Sequence, residues 1–273
     1  MQDCVKSAAA AGLKVHVWKV CWRLDRAPDD LIRQLRKDGR LQVTDKGKTI
    51  DWLCPSNPAN LRMEKDAVRE IVRRYPVDGI HLDYIRYPDS HSCYCKGCRT
   101  RFEAHLGKPV GHWPAPRHAI LTRKRFREWR ALQITRLVAD LSVAIKTINP
   151  DVKLSAAVFG RYPLCVASVG QDWREWLERG YVDFVCPMDY TDDLGKFRDL
   201  VTTQLATAAT GPRIFPGIGV TAAESRLDAI SVLKQINELQ ARDAGGFMLF
   251  DLNPVLEREI FPALARGITA AKK

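Results

Sequence analysis

The chain has no apolar run long enough to cross a bilayer, and its opening, Met-Gln-Asp-Cys-Val-Lys-Ser-Ala-Ala-Ala-Ala-Gly, lacks the basic start and apolar middle of a signal peptide. As written it carries no membrane span and no export address; a leader encoded upstream would make it an exported protein. It also lacks the glycine-rich turn after the first strand that marks a nucleotide-binding doubly wound sheet. Acidic charge is in short supply, with 43 Lys and Arg against 32 Asp and Glu, a net of +11. That surplus suits an anionic partner such as nucleic acid, an acidic glycan or a cell-wall surface, and equally a well-solvated basic surface with no such partner. Eight cysteines in 273 residues do not make a disulfide-dense mini-domain and assign no redox compartment. What the chain does have is apolar mass. At 46% hydrophobic residues it can bury a sizeable core, as one large α/β domain or two small ones.

Strand and helix patterns alternate along it. Residues 2–11 read as a short helix ended by Gly12, and Leu13 to Cys21 as a strand rich in β-branched and aromatic residues. A short helix after Pro28-Asp29-Asp30 precedes a hairpin turning at Asp45-Lys46-Gly47. Leu61, Met63, Val68, Ile71 and Val72 mark an amphipathic helix opened by Ser56-Asn57-Pro58, which leads into a strand beginning near Val77. A long helix spans about Arg123 to Ile148 and stops before Asn149-Pro150. Further strands are expected at Lys153 to Phe159, Val182 to Met188, Arg213 to Ile218 and Gly246 to Phe250. Helices fall around Trp173 to Leu177, Leu194 to Ala209, Ser225 to Ala241 and from Leu256. Six strands, each followed by a helix, imply right-handed crossovers and a parallel sheet. A closed barrel has eight. The expectation is therefore one α/β domain over residues 1–273, a (β/α)8 TIM-type barrel lacking its first two strands, with residues 85–122 as a loop or insertion after its fourth strand that carries the cysteine cluster.

That fourth strand carries the chemistry. Val77 to Pro88 reads Val-Asp-Gly-Ile-His-Leu-Asp-Tyr-Ile-Arg-Tyr-Pro, with Ile80 and Leu82 alternating against His81 and Asp83. Neighbouring strands are too apolar for an open antiparallel sheet, so both faces should be covered and Asp83 should lie inside, near the strand's C-terminal end. A buried carboxylate is costly unless paired or used, and catalytic groups of parallel barrels collect at that end.

The same stretch resembles the glycoside hydrolase-like family 10 proteins, bacterial (β/α)8 barrels whose fourth strand carries the string from Asp78 to Pro88. The likeness extends to His16-Val17-Trp18, Trp52-Leu53-Cys54-Pro55, Pro187-Met188-Asp189-Tyr190, Pro216-Gly217-Ile218-Gly219 and Gly246-Phe247-Met248-Leu249-Phe250. It implies a glycosidase acting on a polysaccharide or oligosaccharide, with bacterial cell-wall glycan as a plausible substrate. A more distant likeness is to the family 18 chitinases. Asp78 and Asp83 match the outer aspartates of their fourth-strand motif, but His81 replaces the middle one and Ile85 stands where their catalytic glutamate would be. That mechanism is excluded here.

Glycosidic bonds are usually cut by two carboxyl groups, one protonating the leaving oxygen and the other attacking the sugar or activating water. Asp83 is the leading candidate, with His81 and Arg86 able to hold its charge and position; a structural Asp83–Arg86 ion pair is the plainer alternative. For the second carboxylate Asp189 is closest to its strand end, although alternation with Met188 and Tyr190 turns it aside, so Asp192 and Asp251 stay open. Tyr190, Trp18 and Tyr84 can stack on or hydrogen-bond a sugar, Tyr190 and Trp18 foremost by position, although aromatic residues on barrel strands are more often plain packing; His16 is a further candidate contact. No cofactor is required for this chemistry.

Two further features lie outside it. Cys93-Tyr94-Cys95-Lys96-Gly97-Cys98 places three thiols within six residues, a spacing that suits a structural zinc site completed by Cys54 or His91, and suits a disulfide or free thiols as well. Arg117, Arg123, Lys124, Arg125, Arg127 and Arg130, with His118 and Trp129 among them, form a basic run. Without an accompanying recognition motif it reads as the solvated face of a long helix more readily than as a nucleic-acid surface. Nothing in the sequence fixes the oligomeric state.

Overall fold

In a computed structural model, residues 1–115, 119–207 and 213–266 are described, and the chain divides into two compact units. The first comprises Met1–Ala156 with Pro163–Val182. It opens with helix α1 (Gln2–Ala10), which stops at Gly12 in the left-handed region (φ 70°), followed by strand β1 (His16–Val20) and helix α2 (Asp29–Lys37). Strands β2 (Leu41–Val43) and β3 (Thr49–Leu53) pair antiparallel as the expected hairpin. Helix α3 (Pro58–Arg74) begins where Asn57 accepts a hydrogen bond from Ala59 N (2.9 Å), with proline at the position that needs no amide donor.

Strand β4 (Gly79–Asp83) follows and runs parallel to β1, in register from His16 opposite Gly79 to Val20 opposite Asp83. Ile80 and Leu82 are wholly buried, so the apolar side of the alternation does face a core. Asp78 ties the two strands at their start, accepting from Val15 N (2.8 Å) and pairing with Lys14 (3.0 Å). Then come helices α4 (Lys96–Leu106) and α5 (Ile120–Ile148), and strand β5 (Lys153–Val158), whose first four residues pair parallel with β4. Helices α6 (Leu164–Val169) and α7 (Trp173–Glu178) complete the unit, with Trp173 and Trp176 fully buried.

The second unit comprises Ala157–Tyr162 with Asp183–Lys273. It holds the end of β5, strand β6 (Phe184–Pro187), helix α8 (Leu194–Thr207), strand β7 (Gly217–Gly219), helix α9 (Ala229–Gln240) and strand β8 (Met248–Phe250). A π-helical turn (Leu256–Ile260) and helix α10 (Phe261–Leu264) close its described part. Pairing is parallel throughout: Met188 N donates to Val158 O, Val185 bridges Ile214, Met188 bridges Gly217, and β7 pairs with β8. Its core is aliphatic, with Val201, Ile218, Val232, Ile236 and Ile260 packed around Phe197.

Several local expectations are corrected. Within the loop or insertion 85–122 lie α4 and the start of α5. α4 is capped by a thiol, Cys95 Sγ accepting from Cys98 N (3.3 Å), in place of the usual hydroxyl or carboxylate, so the ordinary start signal is missing. The strand expected over Arg213 to Ile218 shrinks to Gly217–Gly219, with Ile214 as an isolated bridge. Arg130 is not on a solvated face: it is 1% exposed, donates to Asp89 O and Ser168 O, and lies 4.2 Å from the centre of the Tyr87 ring. Lys124, Arg125 and Arg127 are exposed, whereas Arg117 and His118 lie outside the described residues. Among the described residues no helix is long and apolar enough to cross a membrane.

Candidate active site

Asp83 terminates β4, and the backbone turns sharply beyond it, with Tyr84 in the left-handed region (φ 52°). Its Oδ1 accepts from Tyr84 N (2.6 Å) and its Oδ2 from the Trp18 indole (3.1 Å). Trp18 comes from the neighbouring strand, opposite His81 and so two residues below the level of Asp83, and is 57% exposed. Two guanidinium groups flank the carboxylate. Arg23 donates to the Tyr84 hydroxyl and lies 4.6 Å from that ring, while Arg86 lies 5.1 Å from Tyr84 and 5.5 Å from Trp52. Trp52 meets Tyr84 edge to face. Burial pushes the Asp83 carboxyl above its usual range, and the Tyr84 amide, the Trp18 indole and the charges of Arg86 and Arg23 pull back without cancelling that effect. The result is a half-buried carboxyl group beside an exposed indole and two cations, with its affinity for a proton raised by burial.

The polar side continues below it. His81 Nδ1 pairs with Ser155 Oγ on β5 (2.9 Å), and burial, reinforced by His16, pushes the imidazole down to about 4. His81 is thus a neutral ring anchored to the next strand. His16 packs its ring against Gly79, where a Cβ would collide with it, so the glycine makes room for the histidine. On the opposite side of β1, Lys19 is bound to Glu64 of α3 (2.6 Å) in a buried ion pair that fixes strand to helix.

The second unit presents its own acidic groups. Asp189 is 1% exposed, and its Oδ1 accepts from Gln204 of α8 (2.7 Å), whose amide also donates to Gly160 O (3.2 Å). Its Oδ2 is buried with no hydrogen-bond partner, and burial lifts the carboxyl to about 7. Asp189 therefore faces helix α8, whereas Tyr190 turns the other way and stacks on Phe250 at 5.3 Å. Asp192 is exposed. Asp251, also exposed, accepts from Thr221 (2.5 Å) and Asn253 (2.8 Å) at the end of β8.

Within the first unit the structure brings together Asp83, Trp18 and Arg86 and adds Arg23 and Trp52, which sequence reasoning did not single out. Trp52 had a usable signal in its Trp-Leu-Cys-Pro segment; Arg23 had none. The sulfurs of Cys54, Cys93, Cys95 and Cys98 lie within 4.8 Å of one another, whereas His91 is spent on Asp45 at 2.8 Å.

The family model described as "Glycosyl hydrolase-like 10" matches residues 1–211. The glycosyl hydrolase DigH of Escherichia coli K12 is 26% identical over a match of 215 residues that covers 70% of this chain and 46% of that protein. The chain thus spans about half the length of the curated relatives it matches. Among solved structures, the glycoside hydrolase domain of PgaB (BpsB) from Bordetella bronchiseptica superposes with a TM-score of 0.76 at 13% identity, covering 96% of this chain and 77% of that one. A β-galactosidase from the haloarchaeon Halorubrum lacusprofundi gives 0.67 at 14% identity, covering 95% and 46%. The fold is accordingly α/β of the TIM-barrel glycoside hydrolase type.

Proposed function

Since the chain belongs to the glycosyl hydrolase-like 10 family, we propose that it hydrolyses O-glycosidic bonds of a polysaccharide or oligosaccharide, with Asp83 as the group that protonates the leaving oxygen. The observation that carries this reading is the Asp83 carboxyl itself: at a strand end, half-buried, lifted by burial, and oriented by two hydrogen-bond donors. A general acid must hold its proton near the working pH and release it as the bond breaks, and desolvation shifts Asp83 in the direction of the first condition. Trp18 offers an exposed face for a sugar ring, and Arg86 and Arg23 offer charge for an anionic substituent. The net charge of +11 points in the same direction, which makes an acidic cell-wall glycan the substrate class to try first.

Glycoside hydrolysis calls for a second carboxyl group. Asn replacements at Asp189, Asp192 and Asp251 identify it: the one that lowers kcat while KM is kept belongs to the chemistry. The defining experiment incubates the protein with bacterial cell-wall glycan, acidic and neutral polysaccharides, and measures new reducing ends. Release from a glycan supports the hydrolase. Saturable glycan binding with no new reducing ends would replace it with a carbohydrate-binding barrel that has no turnover.

A further inference from the structure

We propose that Cys54, Cys93, Cys95 and Cys98 form a closed tetrathiolate zinc site that clasps the hairpin, the loop after β4 and helix α4 into one body. The four thiols come from three separate segments. Cys54 follows β3, Cys93 and Cys95 lie in the loop, and Cys98 sits in the first turn of α4; all four are buried. A tetrahedron with zinc–sulfur bonds of about 2.3 Å has edges of about 3.8 Å. Cys54 Sγ lies 3.8 Å from Cys95 Sγ and 3.5 Å from Cys98 Sγ, and the whole quartet fits within 4.8 Å. A disulfide would draw two sulfurs to about 2.05 Å and leave the other two apart; a thiol at non-bonded distance from two others, in a quartet this tight, is the arrangement of ligands around a shared centre.

Polar groups and a cation gather at the sulfurs. Cys98 N donates to Cys95 Sγ, the Ser56 hydroxyl lies 3.3 Å from both Cys54 and Cys98 sulfurs, and Arg101 reaches Ser56 Oγ (3.1 Å) and Cys54 Sγ (3.9 Å). Zinc with four thiolates carries two net negative charges, and a guanidinium and N–H donors at the sulfurs offset them. A complete set of four protein ligands leaves no open position for a substrate or water, so the site is structural and not catalytic. Its reach toward the candidate active site is short in sequence: Cys54 is two residues beyond Trp52, whose ring Arg86 covers. The main chain reinforces the clasp, since Tyr94 N donates to Val43 O and Asp45 N to His91 O.

The test is metal analysis of the full chain purified without chelators. Stoichiometric zinc, with an X-ray absorption shell of four sulfurs at about 2.3 Å, is the expected result. Replacement of zinc by cobalt should give the visible bands of a tetrahedral tetrathiolate complex. Cys98→Ser should lose the metal. Should that variant fail to fold, Arg101→Ala, which keeps every ligand, should weaken zinc retention against a competing chelator by about tenfold or more. Substoichiometric zinc, a mixed nitrogen and sulfur shell, iron in place of zinc, or a disulfide found within the quartet by peptide mapping would each overturn the proposal. None of these readouts depends on glycan hydrolysis, so the two readings fail separately.

Discussion

Asp189 gives the sharpest forecast that the structure supports on physical grounds alone. The carboxyl is buried to 1% exposure, holds one hydrogen bond from Gln204, has an unpartnered Oδ2, and is lifted by burial from 3.8 to about 7. That lift corresponds to about 4 kcal/mol between its two protonation states. Because the folded value exceeds the unfolded one, this group's stabilising contribution is fully present below about pH 4, declines as pH rises, and is gone above about pH 7. Asp189→Asn removes the titration. The amide keeps the Gln204 contact through its oxygen but places an NH2 where Oδ2 has no partner, a cost of about 1–3 kcal/mol at every pH. Between about pH 4.5 and pH 8 the variant should gain about 3 kcal/mol on the wild type, changing from the less stable protein in acid to the more stable one in alkali. His81, whose depressed value works in the opposite sense by losing stability as pH falls from about 6.5 to 4, is present in both proteins and cancels in the difference. The assay is urea unfolding followed by tryptophan fluorescence at a series of pH values. Parallel stability curves for the two proteins would refute the reasoning.

Gly79→Ala places a methyl group against the His16 ring and should destabilise the first unit by about 1–3 kcal/mol, read as a lower midpoint in the same unfolding assay. Arg86→Ala removes a positive charge that holds the Asp83 carboxyl down, so the alkaline limb of the pH–rate profile should move to higher pH, while KM for an acidic glycan rises more than for a neutral one. Zinc removal by a strong chelator should lower the thermal midpoint of the full chain, reversibly on adding zinc, without changing its net content of helix at low temperature.

The strand that carries Asp83 was legible because its signal is local. Two-residue alternation, together with apolar neighbours, predicted the burial of Ile80 and Leu82, while His81 and Asp83 on the other face are half-buried. Six parallel-type strands were legible for the same reason, although Arg213 to Ile218 overran its true length because a β-branched run looks alike in a ladder and in an extended bridge. Helix α4 was hidden because a cysteine caps it, and thiol caps carry no ordinary composition signal. Arg130 was hidden because its partners, the Tyr87 ring and two main-chain carbonyls, lie about forty residues away on either side, beyond any helical periodicity. The same holds for Arg23, which meets Tyr84 only through the pairing of β1 with β4. Asp189 shows how a strand-end acid and a buried one differ by a single residue of alternation, a distinction visible in the pattern of Met188, Asp189 and Tyr190 and made concrete by Gln204.

The central claim rests on one carboxyl group, and Asp83→Asn tests it most directly. The amide is nearly isosteric, and its oxygen can still accept from Tyr84 N or from Trp18, so the fold should survive with an unfolding midpoint close to wild type. Removing a catalytic acid should lower kcat for reducing-end release by about 10²-fold or more with little change in glycan affinity. A correctly folded Asp83→Asn protein that releases reducing ends at the wild-type rate would contradict the account.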